Sequence, residues 1–63
     1  MVKLHFFNSV AEAELASNLL KEQGIKNMIQ KRYVDVLRAD GDGADLFVAV
    51  ADFEKAKEIL EIK

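Results

Sequence analysis

The spacing at which apolar residues recur changes along the chain, and this order of spacings restricts the fold more than any other feature. In residues 2–7, Val2, Leu4 and Phe6 alternate with other side chains, which predicts a strand with one face in the core. Residues 25–31 and 44–50 alternate in the same way and are predicted to form the second and third strands. Helical spacing follows the first and third strands, so the expected order is β-α-β-β-α.

Local signals predict where the two helices begin and end. Ser9 followed by Glu12 is a capping-box pattern, and Gly24 stands where a left-handed residue normally ends a helix. Asp52 is predicted to cap the last helix. The predicted buried positions of the first helix are Val10, Ala13, Ala16, Leu19 and Leu20, with Leu15 at their edge, and those of the second are Phe53, Ala56, Ile59 and Leu60.

This order of elements predicts a ferredoxin-like split β-α-β arrangement within a single α+β domain, residues 1–63. The two helices are expected to cover one face of a three-stranded antiparallel sheet with the order 1-3-2. The third strand, the most apolar, then lies in the centre, and the first strand is left at an edge. An exposed edge is available for pairing with another chain.

Composition excludes several classes of protein. There is no cysteine and only one histidine, His5, so disulfide frameworks and cysteine-based metal or redox sites are excluded, and no cofactor or metal is expected. The net charge of −2 disfavours nucleic-acid binding, which requires a basic face. The longest apolar run, residues 46–51, is far shorter than a membrane span, and the first residues show no signal-peptide pattern. A cytoplasmic protein is expected.

Several segments, in their order and spacing, resemble a known family. They are Glu12-Ala13-Glu14-Leu15, Leu19-Leu20, Gly24-Ile25, residues 44–50 and Asp52-Phe53-Glu54-Lys55-Ala56. The chain resembles the putative prokaryotic signal-transducing protein family, a bacterial domain-of-unknown-function group. The resemblance implies a ferredoxin-like fold similar to that of the nitrogen-regulatory PII proteins and a role in signal transduction. It transfers no functional residue, because nothing in this chain matches the nucleotide-binding positions of PII proteins.

Two motifs suggest chemistry, and each has a simpler explanation. His5 is a candidate acid, base or metal ligand, and Asp45 is expected across from it on the third strand. A nucleophile or metal to complete such a site is missing, so a surface histidine is favoured over a small enzyme centred on His5. The acidic run 40–45 resembles part of a calcium loop, but an EF-hand alignment places Arg38 and Ala49 at ligand positions, which favours a solvated turn.

The β-α-β-β-α order is also that of the RNA-recognition motif, which stacks bases on aromatic residues of its first and third strands. Phe7 and Phe47 are the candidates for that role. Asp45 and the acidic balance of the chain argue against it. RNA binding is therefore an alternative function and not the main hypothesis.

The main hypothesis is a non-enzymatic regulatory or interaction module. Its predicted contact surface is the sheet face that the helices leave uncovered, comprising His5, Phe7, Met28, Gln30, Phe47 and Ala49. Apolar side chains on such a face favour a partner protein, including a second copy of the chain in a homodimer. The alternative is that the 32–43 loop, with Tyr33 or Leu37, folds over them. A small anionic ligand is the other candidate partner, and the residues expected to bind it, at or near the 32–43 loop, are Lys31, Arg32, Tyr33 and Arg38.

Overall fold

The computed structural model describes residues 1–32 and 43–62 and confirms the predicted order of elements. Strand β1 spans Val2–Phe7, helix α1 Val10–Glu22, strand β2 Asn27–Lys31, strand β3 Ala44–Val48 and helix α2 Phe53–Leu60. Tyr33, Leu37, Arg38 and residues 40–42 of the predicted turn at 40–43 lie outside the described residues. Where the described chain resumes, the backbone N–H of Arg32 donates to the carbonyl oxygen of Gly43 at 2.9 Å.

The three strands form one antiparallel sheet in the order β1-β3-β2. This is the predicted α+β, ferredoxin-like arrangement, with the most apolar strand in the centre. On β3, Ala44, Leu46 and Val48 are fully buried beneath the helices. The opposite face of the sheet carries Asp45 and Phe47, because successive residues of a strand point to opposite sides.

A β-bulge in β1 overturns the predicted assignment of its side chains. Lys3 lies opposite Phe47, but the register shifts between Lys3 and His5, so His5 lies opposite Leu46 and Phe7 opposite Ala44. One extra residue reverses the alternation that follows it. The prediction that His5 and Phe7 lie on the uncovered face was therefore wrong: Phe7 packs against the buried core, and Phe6 takes the position on the uncovered face, opposite Asp45.

Helix α1 contacts the sheet through a narrow stripe of mostly small residues. Four of the predicted core positions are buried, together with Ser17, and the buried set is Val10, Ala13, Ala16, Ser17 and Leu20. Leu19 is 49% exposed, so its predicted place in the core was wrong. It lies a quarter-turn from Leu20 and faces the junction with α2 instead of the sheet. Ser9 occupies the N-cap position, but its side chain makes no capping hydrogen bond.

The end of α1 confirms the role predicted for Gly24, which has a φ of 78°. The N–H of Gly24 donates to the carbonyl of Lys21 at 3.0 Å, and the N–H of Ile25 donates to that of Leu20 at 2.9 Å. These two bonds form a Schellman motif, and Ile25 and Leu20 share the core. Ile25 therefore belongs to the helix cap, and β2 begins at Asn27 and not at Ile25 as predicted.

The third strand is shorter than predicted. β3 ends at Val48, and Val50–Asp52 form a 3₁₀ turn in which the N–H of Asp52 donates to the carbonyl of Ala49 at 3.0 Å. Ala49 therefore lies outside the sheet, and Val50 is 70% exposed instead of buried. Asp52 takes the N-cap position of α2 without a side-chain hydrogen bond, because the 3₁₀ turn gives it a helical ψ of 0°.

The main core lies between the sheet and the helices. Leu20, Leu46 and Val48 are its largest fully buried side chains, and Phe53, Ile59 and Leu60 of α2 pack against it. Neither of the two described helices is both long enough and apolar enough to cross a bilayer.

Candidate binding face of the sheet

The face of the sheet opposite the helices is organised as two cross-strand rows. In the first row Lys3, Phe47 and Met28 lie opposite one another, and in the second Phe6, Asp45 and Gln30 do so. Residues directly opposite in antiparallel strands share a face and contact each other. We call these six residues, together with Arg32, the open face. Met28 is 50% exposed, and Phe6 and Phe47 are partly buried.

An ion-pair network occupies the centre of the open face. Arg32 donates two hydrogen bonds to the carboxylate of Asp45, from Nε at 2.8 Å and from a terminal nitrogen at 3.0 Å. The Nζ of Lys3 lies 3.8 Å from the same carboxylate. The Asp45 side chain is only 9% exposed, whereas those of Lys3 and Arg32 are about half exposed. A nearly buried carboxylate is stable here because a bidentate guanidinium compensates its charge.

The guanidinium of Arg32 also covers the ring of Phe6, with 4.7 Å between its central carbon and the ring centroid. Gly43 also lies against Phe6: a Cβ at its position would be 2.7 Å from the Phe6 ring and 2.5 Å from the carbonyl oxygen of Phe7. Glycine is therefore required where the chain enters β3 beside the open face. Together these contacts fix the positions of Phe6 and Arg32.

The proposed histidine–carboxylate pair does not form. Asp45 lies opposite Phe6 and binds Arg32, whereas His5 lies opposite Leu46 with its ring edge-on to Phe7 at 4.8 Å. Phe7 and Phe47 also lie on opposite sides of the sheet, so they do not form the pair of stacking aromatic residues suggested for RNA. Phe6 shares a face with Phe47, but Arg32 covers its ring.

The structure brings together four of the predicted site residues, namely Met28, Gln30, Arg32 and Phe47. Lys31 is exposed but lies opposite Ala44, on the helix side of the sheet.

Sequence reasoning did not include Lys3, Phe6 and Asp45 in the site. A signal for Asp45 was present, because an acidic residue inside the most apolar strand requires a cationic partner. Within residues 1–32 and 43–62, no group of three His, Asp or Glu side chains is placed to hold a metal ion.

A comparison with protein families decides the relationship that the sequence suggested. The model of the family described as "Putative prokaryotic signal transducing protein" matches residues 1–62. The chain belongs to this family. Searches of the curated proteins and of the solved structures found no match.

The family description associates this small domain with signal transduction and names no enzymatic activity. That description names no partner and no mode of binding. On the open face, apolar, aromatic and charged side chains contact one another across the three strands.

Proposed function

We propose that this domain is a non-enzymatic regulatory module that binds a partner protein through the open face of the sheet. The observation that carries the proposal is the half-exposed Met28 beside Phe47, in a row that crosses all three strands. Apolar side chains held on an open sheet face are typical of a contact surface. We also propose that the protein acts in the cytoplasm.

The chemistry of the face supports recognition of a protein. Asp45 is already engaged by Arg32 and Lys3, so the centre of the face presents polar groups that are largely compensated. Such groups can be covered by another chain without leaving an unpaired buried charge. Two grooves in the described part of the molecule, between α1 and α2 and beside Met1, are lined by no residue of the open face. We favour a protein over a small ligand as the partner because the side chains of the open face spread across all three strands.

The first test is site-specific photo-crosslinking in cells that naturally produce the protein. A photoreactive residue in place of Met28 is expected to form covalent adducts with one protein, because Met28 lies at the exposed end of the apolar row. The same residue in place of Lys55, which is exposed on α2, is the control. The adducts are identified by mass spectrometry. Equal adducts at both positions, or an adduct with nucleic acid at position 28, would contradict the proposal.

The partner identified in this way is then purified and titrated by calorimetry against matched variants. Met28→Glu places a charge in the apolar row and is expected to weaken binding at least about tenfold. Val50→Glu makes the same kind of change at an exposed position away from the open face, and its affinity should match the wild type. If the adduct is a second copy of the chain, sedimentation equilibrium replaces calorimetry, with a folded monomer expected for Met28→Glu. Binding that survives this substitution would disprove the role of the open face.

A further inference from the structure

A second surface lies on the other side of the molecule, between the two helices. Residues of α1 and of the end of α2 line an open groove of about 510 Å³, which we call the interhelix groove. Phe7 and Ala16 contribute from the side of the core. The other lining residues are Glu12, Leu15 and Leu19 of α1, Ile59 and Leu60 of α2, and Glu61 and Ile62 beyond it.

The two leucines of α1 are the unusual feature of this groove. Leu15 is 67% exposed and Leu19 is 49% exposed. They lie four residues apart and therefore follow each other by about one turn along the same side of α1. Ile59, Leu60 and Ile62 pack against the core and complete an apolar surface facing the leucines. A groove lined by apolar residues from two helices has the form that accepts the apolar stripe of an amphipathic helix.

Charge indicates which kind of helix fits. Within the described part of the chain, the two ionisable residues that line the groove are acidic, Glu12 in the first turn of α1 and Glu61 at the C-cap of α2. The carbonyl groups at the end of α2 add partial negative charge near Glu61. Among residues 1–32 and 43–62, no lysine or arginine lines the groove. Positive charges beside an apolar stripe would therefore be attracted to these two glutamates.

The same charges argue against a second copy of the chain as the occupant. The exposed side of α1 carries Glu12, Glu14 and Glu22, against Lys21 as its one basic residue. Two copies packed through this helix would bring like charges together, which is unfavourable across an interface. A basic partner helix would be attracted, not repelled, by the glutamates of α1.

We propose that the interhelix groove binds an amphipathic helix of a partner protein, whose apolar stripe contacts Leu15 and Leu19 and whose flanking lysine or arginine residues pair with Glu12 and Glu61. This surface is separate from the open face, since the sheet lies between them. The site does not depend on the function proposed for the open face, and either can fail without the other.

The probe is a synthetic helical peptide of about 15 residues with leucines at helical spacing and lysines on both borders of the stripe. A second peptide has glutamates in place of the lysines, and a third has the composition of the first with its leucines scattered. Fluorescence anisotropy measures their binding to the intact chain at low and at moderate salt. The basic peptide is expected to bind at least about tenfold more tightly than either of the others, with an affinity that falls as salt rises.

Charge reversal provides the specific test. The variant carrying Glu12→Lys and Glu61→Lys should lose affinity for the basic peptide by about tenfold and gain it for the acidic one. Circular dichroism verifies that the variant is folded. Leu15→Ser, at a largely exposed position, provides an independent variant that should weaken binding of either peptide. Met28→Glu, on the open face, should leave the affinity unchanged.

Any one of four results would overturn the proposal. The first is equal affinity for the basic and acidic peptides, and the second is an unchanged preference after charge reversal. The third is self-association of the chain that Leu15→Ser abolishes, since this would assign the groove to a second copy. Loss of peptide binding in Met28→Glu with retention in Leu15→Ser would place the peptide on the open face and would also contradict the proposal.

Discussion

Asp45 connects all the charged groups of the open face. Its carboxylate is nearly buried, and it binds Arg32 through two hydrogen bonds and Lys3 through a longer contact. The two cations are half exposed, so water solvates them if the carboxylate is removed. The carboxylate has no such alternative, because its own environment is dry. The energetic consequences of removing each partner should therefore differ.

Replacing Arg32 should destabilise the fold more than replacing Asp45. Arg32→Met keeps an apolar side chain over Phe6 but leaves the carboxylate without its bidentate partner. We expect a cost between the ~1 kcal/mol of an exposed pair and the ~3–5 kcal/mol of a buried one. Asp45→Asn should cost only about 1 kcal/mol. Urea unfolding followed by circular dichroism measures both, and Lys3→Met is the control with an expected loss below about 1 kcal/mol. Equal losses in Arg32→Met and Lys3→Met would contradict the assigned geometry.

At the scale of elements, two glycines of the described residues occupy different surroundings. Gly24 closes the Schellman motif of α1, and a Cβ at its position would meet nothing within 4 Å. Gly43, with a φ of 122°, leads into β3 against the Phe6 ring and the backbone of Phe7. The first glycine is required for its backbone conformation only. The second is required for its conformation and for the space it leaves.

Alanine substitutions at the two glycines should therefore reduce the stability of the fold by different amounts. Gly24→Ala is expected to cost about 1–2 kcal/mol, the penalty for a left-handed residue with a side chain. Gly43→Ala should cost more, because the new Cβ also displaces Phe6 and its contact with Arg32. Thermal unfolding of both variants measures the difference. A chemical-shift change at Phe6 and Arg32 is expected in Gly43→Ala alone. Equal melting temperatures would show that the close approach at Gly43 relaxes without cost.

At the scale of the whole molecule, a small core leaves little reserve of stability. A chain of 63 residues without disulfides is expected to have a free energy of unfolding of only about 3–5 kcal/mol. The core is concentrated in Leu20, Leu46 and Val48, which have no exposed surface. Leu15 and Leu19, although of the same residue type as Leu20, contribute mainly to the interhelix groove.

Matched leucine substitutions on α1 test whether Leu20 stabilises the core while Leu15 contributes little to stability. Leu20→Ala is expected to cost about 2–5 kcal/mol, enough to populate the unfolded state without denaturant. Leu15→Ala should change the stability by no more than about 0.5 kcal/mol. Urea titrations of the two variants make the comparison. A large loss in Leu15→Ala would mean that the leucine supports the fold and is not available to a partner.

The sequence by itself determined the order of the elements, the central position of β3, the end of α1 at Gly24 and the family of the chain. The order of the elements and the end of α1 depend on apolar spacing and local backbone preference, which a short segment carries within itself, whereas the place of β3 and the family depend on the order of several segments along the chain. Only the tertiary structure decided which aromatic residue of β1 lies on the open face, because the bulge between Lys3 and His5 exists only where β1 pairs with β3. The same pairing placed Asp45 opposite Phe6 instead of His5, and the pairing of β2 with β3 brought it within reach of Arg32. The tertiary structure also decided that Leu19 lies in the interhelix groove and not against the sheet, which depends on where α2 packs beside α1 and is specified by no single segment.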